Sequence, residues 1–371
     1  MNQNEVLQIP HDCYIILTTR CNQRCLHCYG SYGRNTSREL NGQEWCRIID
    51  ELAKNNVFYV NISGGEPTLH NDFSMILDYL ATKKMFFILT SNGVCSGEAL
   101  SSIIRNRDYL LGLKISLDGH DEKSHGSLRR DTNGNMRSDY FNKTMSTINT
   151  LRKYNLPFTI ATCIHKNNAD FLTEMMNLVI RLRPVSWFIS TISQSGRALE
   201  NLDIFSGCEN IKLETWKLIE YECEQNGIYS RFIDIPQLEV RKDSLFYYEC
   251  PAARWFCEIH SDGQVSPCPL ARTSIPYDKL PFKSILHYSL SDIWWSDEFE
   301  QFRKLGHEGC LGCVSKSVCR RCVPQSYQWF DDPLFPPPSC IRNGVKLGLK
   351  NTDKLNALLD EKVVEFQRYG Y

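Results

Sequence analysis

The chain has 371 residues, enough for two domains and a sizeable core. Its 42 Lys and Arg nearly cancel 43 Asp and Glu, so no bulk field directs it to nucleic acid or an anionic membrane, and neither is expected as a partner. The amino terminus, Met1 to His11, lacks the apolar core of a signal peptide and no apolar run approaches membrane-spanning length, so a soluble, cytoplasmic protein is expected.

From Tyr14 to about Ile192, short β-branched or apolar runs alternate with amphipathic helical segments, the pattern of βα units on a parallel sheet. Six strands are predicted: Tyr14–Leu17, Phe58–Ile62, Phe86–Leu89, Leu113–Leu117, Phe158–Thr162 and Trp187–Thr191. Asn41 is placed to cap the first connecting helix, with Glu44 at the capping-box position and Trp45, Ile48, Ile49 and Leu52 on one face. Asp72 similarly precedes Phe73, Ile76, Leu77 and Leu80. Polar or glycine-rich segments follow the carboxyl ends of the strands, where parallel α/β folds build their sites. After about Cys208 the alternation stops, and Cys250 to Cys340 is a cysteine- and proline-rich stretch that needs metal to fold. Asp353 to Arg368 reads as one amphipathic helix through Leu355, Leu358, Leu359 and Val363. The expected divisions are a barrel over 10–207, a bridging region over 208–249, a cysteine-rich domain over 250–345 and a terminal helix over 346–371.

Seventeen cysteines in a chain without an export signal point to metal ligands rather than disulfides. Cys21, Cys25 and Cys28 form CxxxCxxC in the loop after the first strand. A four-iron cluster ordinarily takes four cysteines, so three thiolates leave one iron open. The competing reading is a zinc ion with a fourth ligand such as His27. Cys250, Cys257, Cys268, Cys310, Cys313, Cys319, Cys322 and Cys340 supply eight further ligands, enough for two complete four-cysteine sites. Two zinc sites are the alternative there, since paired CxxC elements also occur in zinc ribbons.

The CxxxCxxC loop is accompanied by Ser63-Gly64-Gly65-Glu66-Pro67 after the second strand, Thr90-Ser91-Asn92-Gly93 after the third and Ser116-Leu117-Asp118-Gly119 after the fourth. With these motifs the barrel region resembles the radical S-adenosylmethionine superfamily. Gly263 lies five residues before Cys268, and Cys310, Cys313, Cys319 and Cys322 form CxxCxxxxxCxxC, which together resemble the SPASM pattern. Only Arg320 and Arg321 precede the last cysteine of that element, where the family usually has three residues.

The resemblance implies a partial (β/α)6 TIM barrel followed by a SPASM domain, with three 4Fe-4S clusters and S-adenosylmethionine as cofactors. It implies that the open iron binds the amino and carboxylate groups of the methionine moiety, and that reductive cleavage gives a 5′-deoxyadenosyl radical that abstracts hydrogen from substrate. An electron donor such as flavodoxin or ferredoxin is implied as a partner. Gly64, Gly65 and Glu66 are implied to lie at the methionine amino group, and Asn92 and Ser116 to contact ribose and methionine carboxylate. Arg129, in a His125 to Arg129 segment, is the implied carboxylate partner, with Arg130 nearly as good. Ser195-Gly196-Arg197-Ala198 either matches a recurrent family segment or is a plain glycine turn. By resemblance, the first auxiliary cluster takes Cys250, Cys257, Cys268 and Cys322, and the second Cys310, Cys313, Cys319 and Cys340. Cys13, Cys46, Cys95, Cys163, Cys208 and Cys223 are expected to be small buried hydrophobes, Cys163 standing near a strand end. No catalytic side chain is assigned.

Enzymes with this architecture include peptide-cross-linking maturases and relatives acting on aminoglycosides or porphyrins, and fold alone does not choose among them. The leading expectation is a maturase that cross-links, oxidises or epimerises a ribosomally made peptide; the alternative is a dehydrogenase or epimerase of a sugar or cyclitol. About a dozen residues precede the first strand, too few for a fused leader-recognition domain, so a separate leader-binding protein or direct docking of the peptide is expected. Pro269 and Leu270 follow Cys268, where sulfatase-maturing relatives usually carry an aspartate, which disfavours that activity.

Overall fold

A computed structural model describes residues 6–33, 38–137, 139–205, 211–233, 250–308 and 322–334, with the single positions 357 and 361. The predicted terminal helix, the four candidate ligands Cys310, Cys313, Cys319 and Cys340, and Cys208 lie outside the described residues.

All six predicted strands are present and lie in chain order in one sheet. The sequence runs β1 (Asp12–Thr18), α1 (Gly42–Lys54), β2 (Tyr59–Gly64), α2 (Phe73–Thr82), β3 (Phe86–Ser91), α3 (Gly97–Arg105), β4 (Leu110–Ser116), α4 (Glu122–Gly126), α5 (Asp139–Lys153), β5 (Phe158–Ile164), α6 (Leu172–Leu182) and β6 (Ser186–Thr191). The alternation continues past Cys208, where the sequence reading ended it: α7 (Leu213–Gln225) and β7 (Tyr229–Ile233) add a further unit at the edge. Tyr229-Ser-Arg-Phe-Ile escaped notice because it is a short, half-exposed edge strand whose polar positions break up the apolar run. The cysteine-rich region also reaches the sheet. Its β8 (Phe256–Ile259) pairs parallel with β1, and β9 (Val265–Ser266) turns back antiparallel, giving the order β7-β6-β5-β4-β3-β2-β1-β8-β9. Among the described residues four helices follow, α8 (Pro269–Ser274), α9 (Leu290–Trp294), α10 (Asp297–Glu308) and α11 (Val323–Phe330).

The first crossover shows why the sequence folds this way. The Asn41 side chain accepts from the Glu44 amide at 3.0 Å and the Glu44 carboxylate accepts from the Asn41 amide at 3.0 Å, which satisfies two of the helix's orphan donors. Asp72 does not cap its own helix; its carboxylate accepts from the Gly42 amide at 2.8 Å and steadies the start of α1 instead. Strand side chains alternate between two faces. Leu113 and Ile115 of β4 join the core under the helices, as do Cys13, Ile15 and Leu17 of β1, whereas Lys114, Ser116 and Tyr14 are left on the inner face. Trp45, Trp187 and Trp216 complete that outer core. Among the described residues no helix is long and apolar enough to cross a membrane.

Candidate active site

The loop carrying Cys21, Cys25 and Cys28 leaves β1 and is held from several strand ends. Its backbone receives or gives hydrogen bonds at Arg24 (to Arg130, 2.8 Å), Leu26 (to Leu128, 3.0 Å) and Gly33 (to Thr19, 2.9 Å). Tyr140 donates to the Asn22 carbonyl at 2.9 Å, and the Asn22 side chain donates to the Val94 carbonyl at 2.9 Å. Burial pushes Cys21 well up and Cys25 up to about 11; the neighbouring thiols Cys25 and Cys28 add to the effect at Cys21, and Cys28 adds to it at Cys25. Hydrogen-bond donors already face the sulfurs: the Gln23 backbone amide reaches Cys21 at 3.4 Å, the Asn92 side-chain amide reaches Cys21 at 3.9 Å, and the Arg129 guanidinium reaches Cys25 at 3.8 Å. Such donors compensate thiolates that metal binding deprotonates, so this donor set fits an iron–sulfur cluster. His27, the alternative fourth ligand of a zinc site, is half-buried with Nε2 4.0 Å from Asp118.

Gly64 and Gly65 serve the same loop. Gly64 has φ of +140°, and a Cβ there would run into the Thr18 carbonyl oxygen; one on Gly65 would run into that of Arg20. The Gly65 and Glu66 amides donate to those carbonyls at 2.9 and 2.8 Å. The Glu66 carboxylate is fully buried and accepts from the Asn92 amide at 2.9 Å, the Ser91 hydroxyl at 3.0 Å and the Thr68 hydroxyl at 2.7 Å. It thereby ties the end of β2 to the end of β3. Asn92 in turn donates to Asn22 at 2.7 Å beside Cys21. Ser116 closes β4 on its inner face.

Arg129 is buried and engaged from two sides. Its Nε donates to Asp118 at 2.7 Å and Nη1 to the Gln23 side chain at 3.2 Å. Burial alone would raise the Asp118 carboxyl, but Arg129 and the neighbouring histidines outweigh it and hold it well below the usual range. The Cys163 amide, at the end of β5, donates to the other Asp118 oxygen at 2.8 Å. Arg130 supplies the backbone carbonyl that receives Arg24.

Ser195 to Ala198 is a clasp. Gly196 has φ of +59°, where a Cβ would strike the Tyr29 carbonyl. The Arg197 amide donates to the Cys28 carbonyl at 2.9 Å, and its guanidinium donates to the carbonyls of Cys25 at 2.9 Å and Tyr32 at 2.5 Å. The other side of the same segment meets the cysteine-rich region: Ser195 lies 3.3 Å from the Ser274 hydroxyl, and Trp329 donates to the Gln194 carbonyl at 3.3 Å.

In that region Cys268 starts α8 and Cys322 starts α11, and the two helices are joined by a Ser274–Gln328 hydrogen bond of 2.8 Å. Cys250 and Cys322 both act on Cys268 electrostatically, and together with burial they push its thiol far up. Cys257 stands apart from this trio in one respect: it lies beside Cys13 in the β1–β8 register, with the sulfurs 3.6 Å apart. Among the described residues no group of three His, Cys, Asp or Glu side chains converges on the position of a single metal ion. Cys13 and Cys223 are buried as expected, whereas Cys46, Cys95 and Cys163 are half-buried.

Two family profiles match this arrangement, the radical SAM superfamily over residues 15–179 and the SPASM iron–sulfur cluster-binding domain over 250–323. The chain is a radical SAM enzyme with a SPASM domain. Membership brings iron–sulfur clusters and S-adenosylmethionine as cofactors. Among curated relatives, it is 28% identical over 334 residues to the mycofactocin maturase MftC of Mycolicibacterium smegmatis, covering 88% of this chain and 81% of that one. It is 26% identical over 349 residues to the AdoMet-dependent heme synthase of Methanosarcina barkeri, covering 88% and 94%. The PqqA peptide cyclase of Granulibacter bethesdensis is 24% identical over 334 residues, covering 87% and 85%. In fold, the chain is similar to Streptococcus suis SuiB bound to S-adenosylmethionine, with a TM-score of 0.71 at 19% identity over 90% of this chain and 78% of that one.

Three inner-face residues of this radical SAM protein were not singled out from sequence. Glu258 of β8 is buried, and neither carboxylate oxygen has a hydrogen-bond partner among the described residues. Burial raises it to about 8, with Arg272 opposing in part. Lys114 of β4 and Arg231 of β7 are the others. A charged residue inside an apolar strand was the available signal; it stood in the predicted strand for Lys114, whereas β7 and β8, which carry Arg231 and Glu258, do not read as strands.

Proposed function

We propose that this enzyme is a maturase that oxidises, cross-links or epimerises a ribosomally made peptide. The likeness to the PqqA peptide cyclase and to mycofactocin maturase, each over more than four-fifths of both chains, carries this reading. Three 4Fe-4S clusters are proposed: one on Cys21, Cys25 and Cys28, one on Cys250, Cys257, Cys268 and Cys322, and one on Cys310, Cys313, Cys319 and Cys340. The bound cofactor supplies a 5′-deoxyadenosyl radical that takes hydrogen from the substrate. Gly64, Gly65, Glu66, Asn92, Ser116 and Arg129 are proposed to line its site.

The chain's own part is positioning. Glu66 fixes Asn92 beside Cys21, Asp118 fixes Arg129 beside Cys25, and Arg197 holds the loop backbone from the opposite side. The N–H groups directed at sulfur favour the thiolate state, and the SPASM region packs on the same clasp, where clusters held by its cysteines would supply an electron acceptor. A flavodoxin or ferredoxin is the proposed electron source, and a separate leader-binding protein a proposed partner.

A second reading, a small-molecule substrate such as a tetrapyrrole, is favoured by the likeness to heme synthase over 94% of that protein. The deciding experiment incubates reduced enzyme with the short peptides encoded beside it, and in parallel with coproporphyrin compounds and aminoglycosides. A two-dalton loss, or deuterium gained from solvent, on a peptide supports the first reading. Turnover of a small molecule with every peptide inert overturns it.

A further inference from the structure

The inner face of the sheet carries two cations that the cofactor site does not use. Lys114 projects from the middle of β4 with Nζ 3.6 Å from the centre of the Phe188 ring, and the Arg231 guanidinium of β7 lies 5.7 Å from the same ring. Phe188 and Arg231 are register neighbours on β6 and β7, so both charges approach the same ring. Among the described residues no carboxylate pairs with either one, although ion pairs are frequent elsewhere in the chain. The groups beside them are uncharged or weakly acidic. Cys163 and Ser190, 3.8 Å apart, stand on the adjoining strands, and Tyr14 of β1 is near enough for the Arg231 charge to act on it.

A core needs no such pair. The Phe188 ring attracts one cation well, but the second, the exposed Arg231, brings like-charge repulsion to the half-buried Lys114, and among the described residues neither charge has a carboxylate counter-ion. Burial already presses Lys114 down to about 8, with Arg231 adding to that effect. The site also lies on the path to the chemistry: Cys163, which acts electrostatically on Lys114, hydrogen-bonds through its amide to Asp118, and Asp118 holds Arg129 beside Cys25.

We infer that Lys114 and Arg231 form a binding site for a carboxylate of the substrate, held over the Phe188 ring on the inner face of the sheet. Arg231 supplies the planar fork that a carboxylate accepts in bidentate fashion, and Lys114 supplies a point charge. This inference rests on the maturase reading, under which the carboxylate belongs to an Asp or Glu side chain of the peptide. Carboxylates of a tetrapyrrole offer the same chemistry, and the test separates the two sources.

The experiment uses reconstituted full-length enzyme and measures binding by calorimetry of N-acetyl-glutamate methylamide, its glutamine counterpart, and coproporphyrin. Acetylation of Lys114 is mapped by mass spectrometry with and without each probe. The glutamate probe is expected to bind and to protect Lys114, the glutamine probe to do neither. Lys114→Met and Arg231→Gln should each weaken binding at least tenfold, and Lys114→Arg should recover most of it. Iron content and substrate-free formation of 5′-deoxyadenosine should match wild type, which shows that the variants fold. Binding of coproporphyrin alone, lost in the same variants, upholds the carboxylate site and overturns the peptide source. Equal binding of glutamate and glutamine probes, binding of neither glutamate nor coproporphyrin, or undiminished binding in both iron-replete variants overturns the site, whatever becomes of the maturase reading.

Discussion

The CxxxCxxC loop and the described part of the SPASM region hold their cysteines by different means. Cys21, Cys25 and Cys28 sit on a loop hydrogen-bonded to segments following β3, β4 and β6, so a rigid parallel sheet places the sulfurs. Cys268 and Cys322 instead begin two short helices, of six and eight residues, joined chiefly by contacts between those helices and with the Gln194–Ser195 segment. A preformed site keeps its shape without metal, whereas a region of short elements draws much of its folding free energy from metal. The difference teaches that Ser195 to Ala198 is the joint, since it touches the first loop on one side and the SPASM helices on the other.

Replacing Cys21, Cys25 and Cys28 together with Ala is the strongest way to separate the two regions. It should abolish reductive 5′-deoxyadenosine formation while leaving about eight irons in the auxiliary sites, counted by iron analysis. Undiminished cleavage would place the reactive cluster elsewhere. Removing all iron anaerobically should then open the SPASM region to protease well before the barrel, as read by time-resolved peptide mapping; simultaneous digestion would erase the contrast.

The joint itself is the next target. Arg197→Ala deprives the buried carbonyls of Cys25 and Tyr32 of charged donors and should cost about 2–4 kcal/mol by denaturant unfolding, with iron lost preferentially from the first site. Gly196→Ala forces a Cβ against Tyr29 at a positive φ and should cost at least about 1–3 kcal/mol. A smaller effect is expected from Glu66→Gln, which weakens the acceptor for Asn92, Ser91 and Thr68 by about 1–3 kcal/mol and should slow cofactor cleavage more than it lowers iron content.

Much of this was legible in the chain, for physical reasons. The six central strands are two-sided and buried, so their apolar runs stand out, and the Asn41–Glu44 capping box marks α1 directly. The strands at the margins, β7 and β8, were not legible, because an edge strand needs apolar residues on one face only and four residues carry little periodicity. The glycines of the Gly64-Gly65 motif were visible as special positions, but their contact with Thr18 and Arg20 depends on how the β1 and β2 loops meet. Likewise, Ser195 to Ala198 read as well as an ordinary turn, since its partners lie some 170 residues away at Cys25 and Tyr29. Lys114 and Arg231 come together only through sheet order, which no local pattern encodes.

The central claim is that the cysteines of both regions hold iron rather than zinc. Metal analysis of anaerobically reconstituted wild-type enzyme tests it most directly, with Mössbauer spectroscopy to identify the clusters. About twelve irons per chain, all in four-iron clusters, with negligible zinc, is the result expected from eleven candidate cysteine ligands. Stoichiometric zinc with little iron would contradict it.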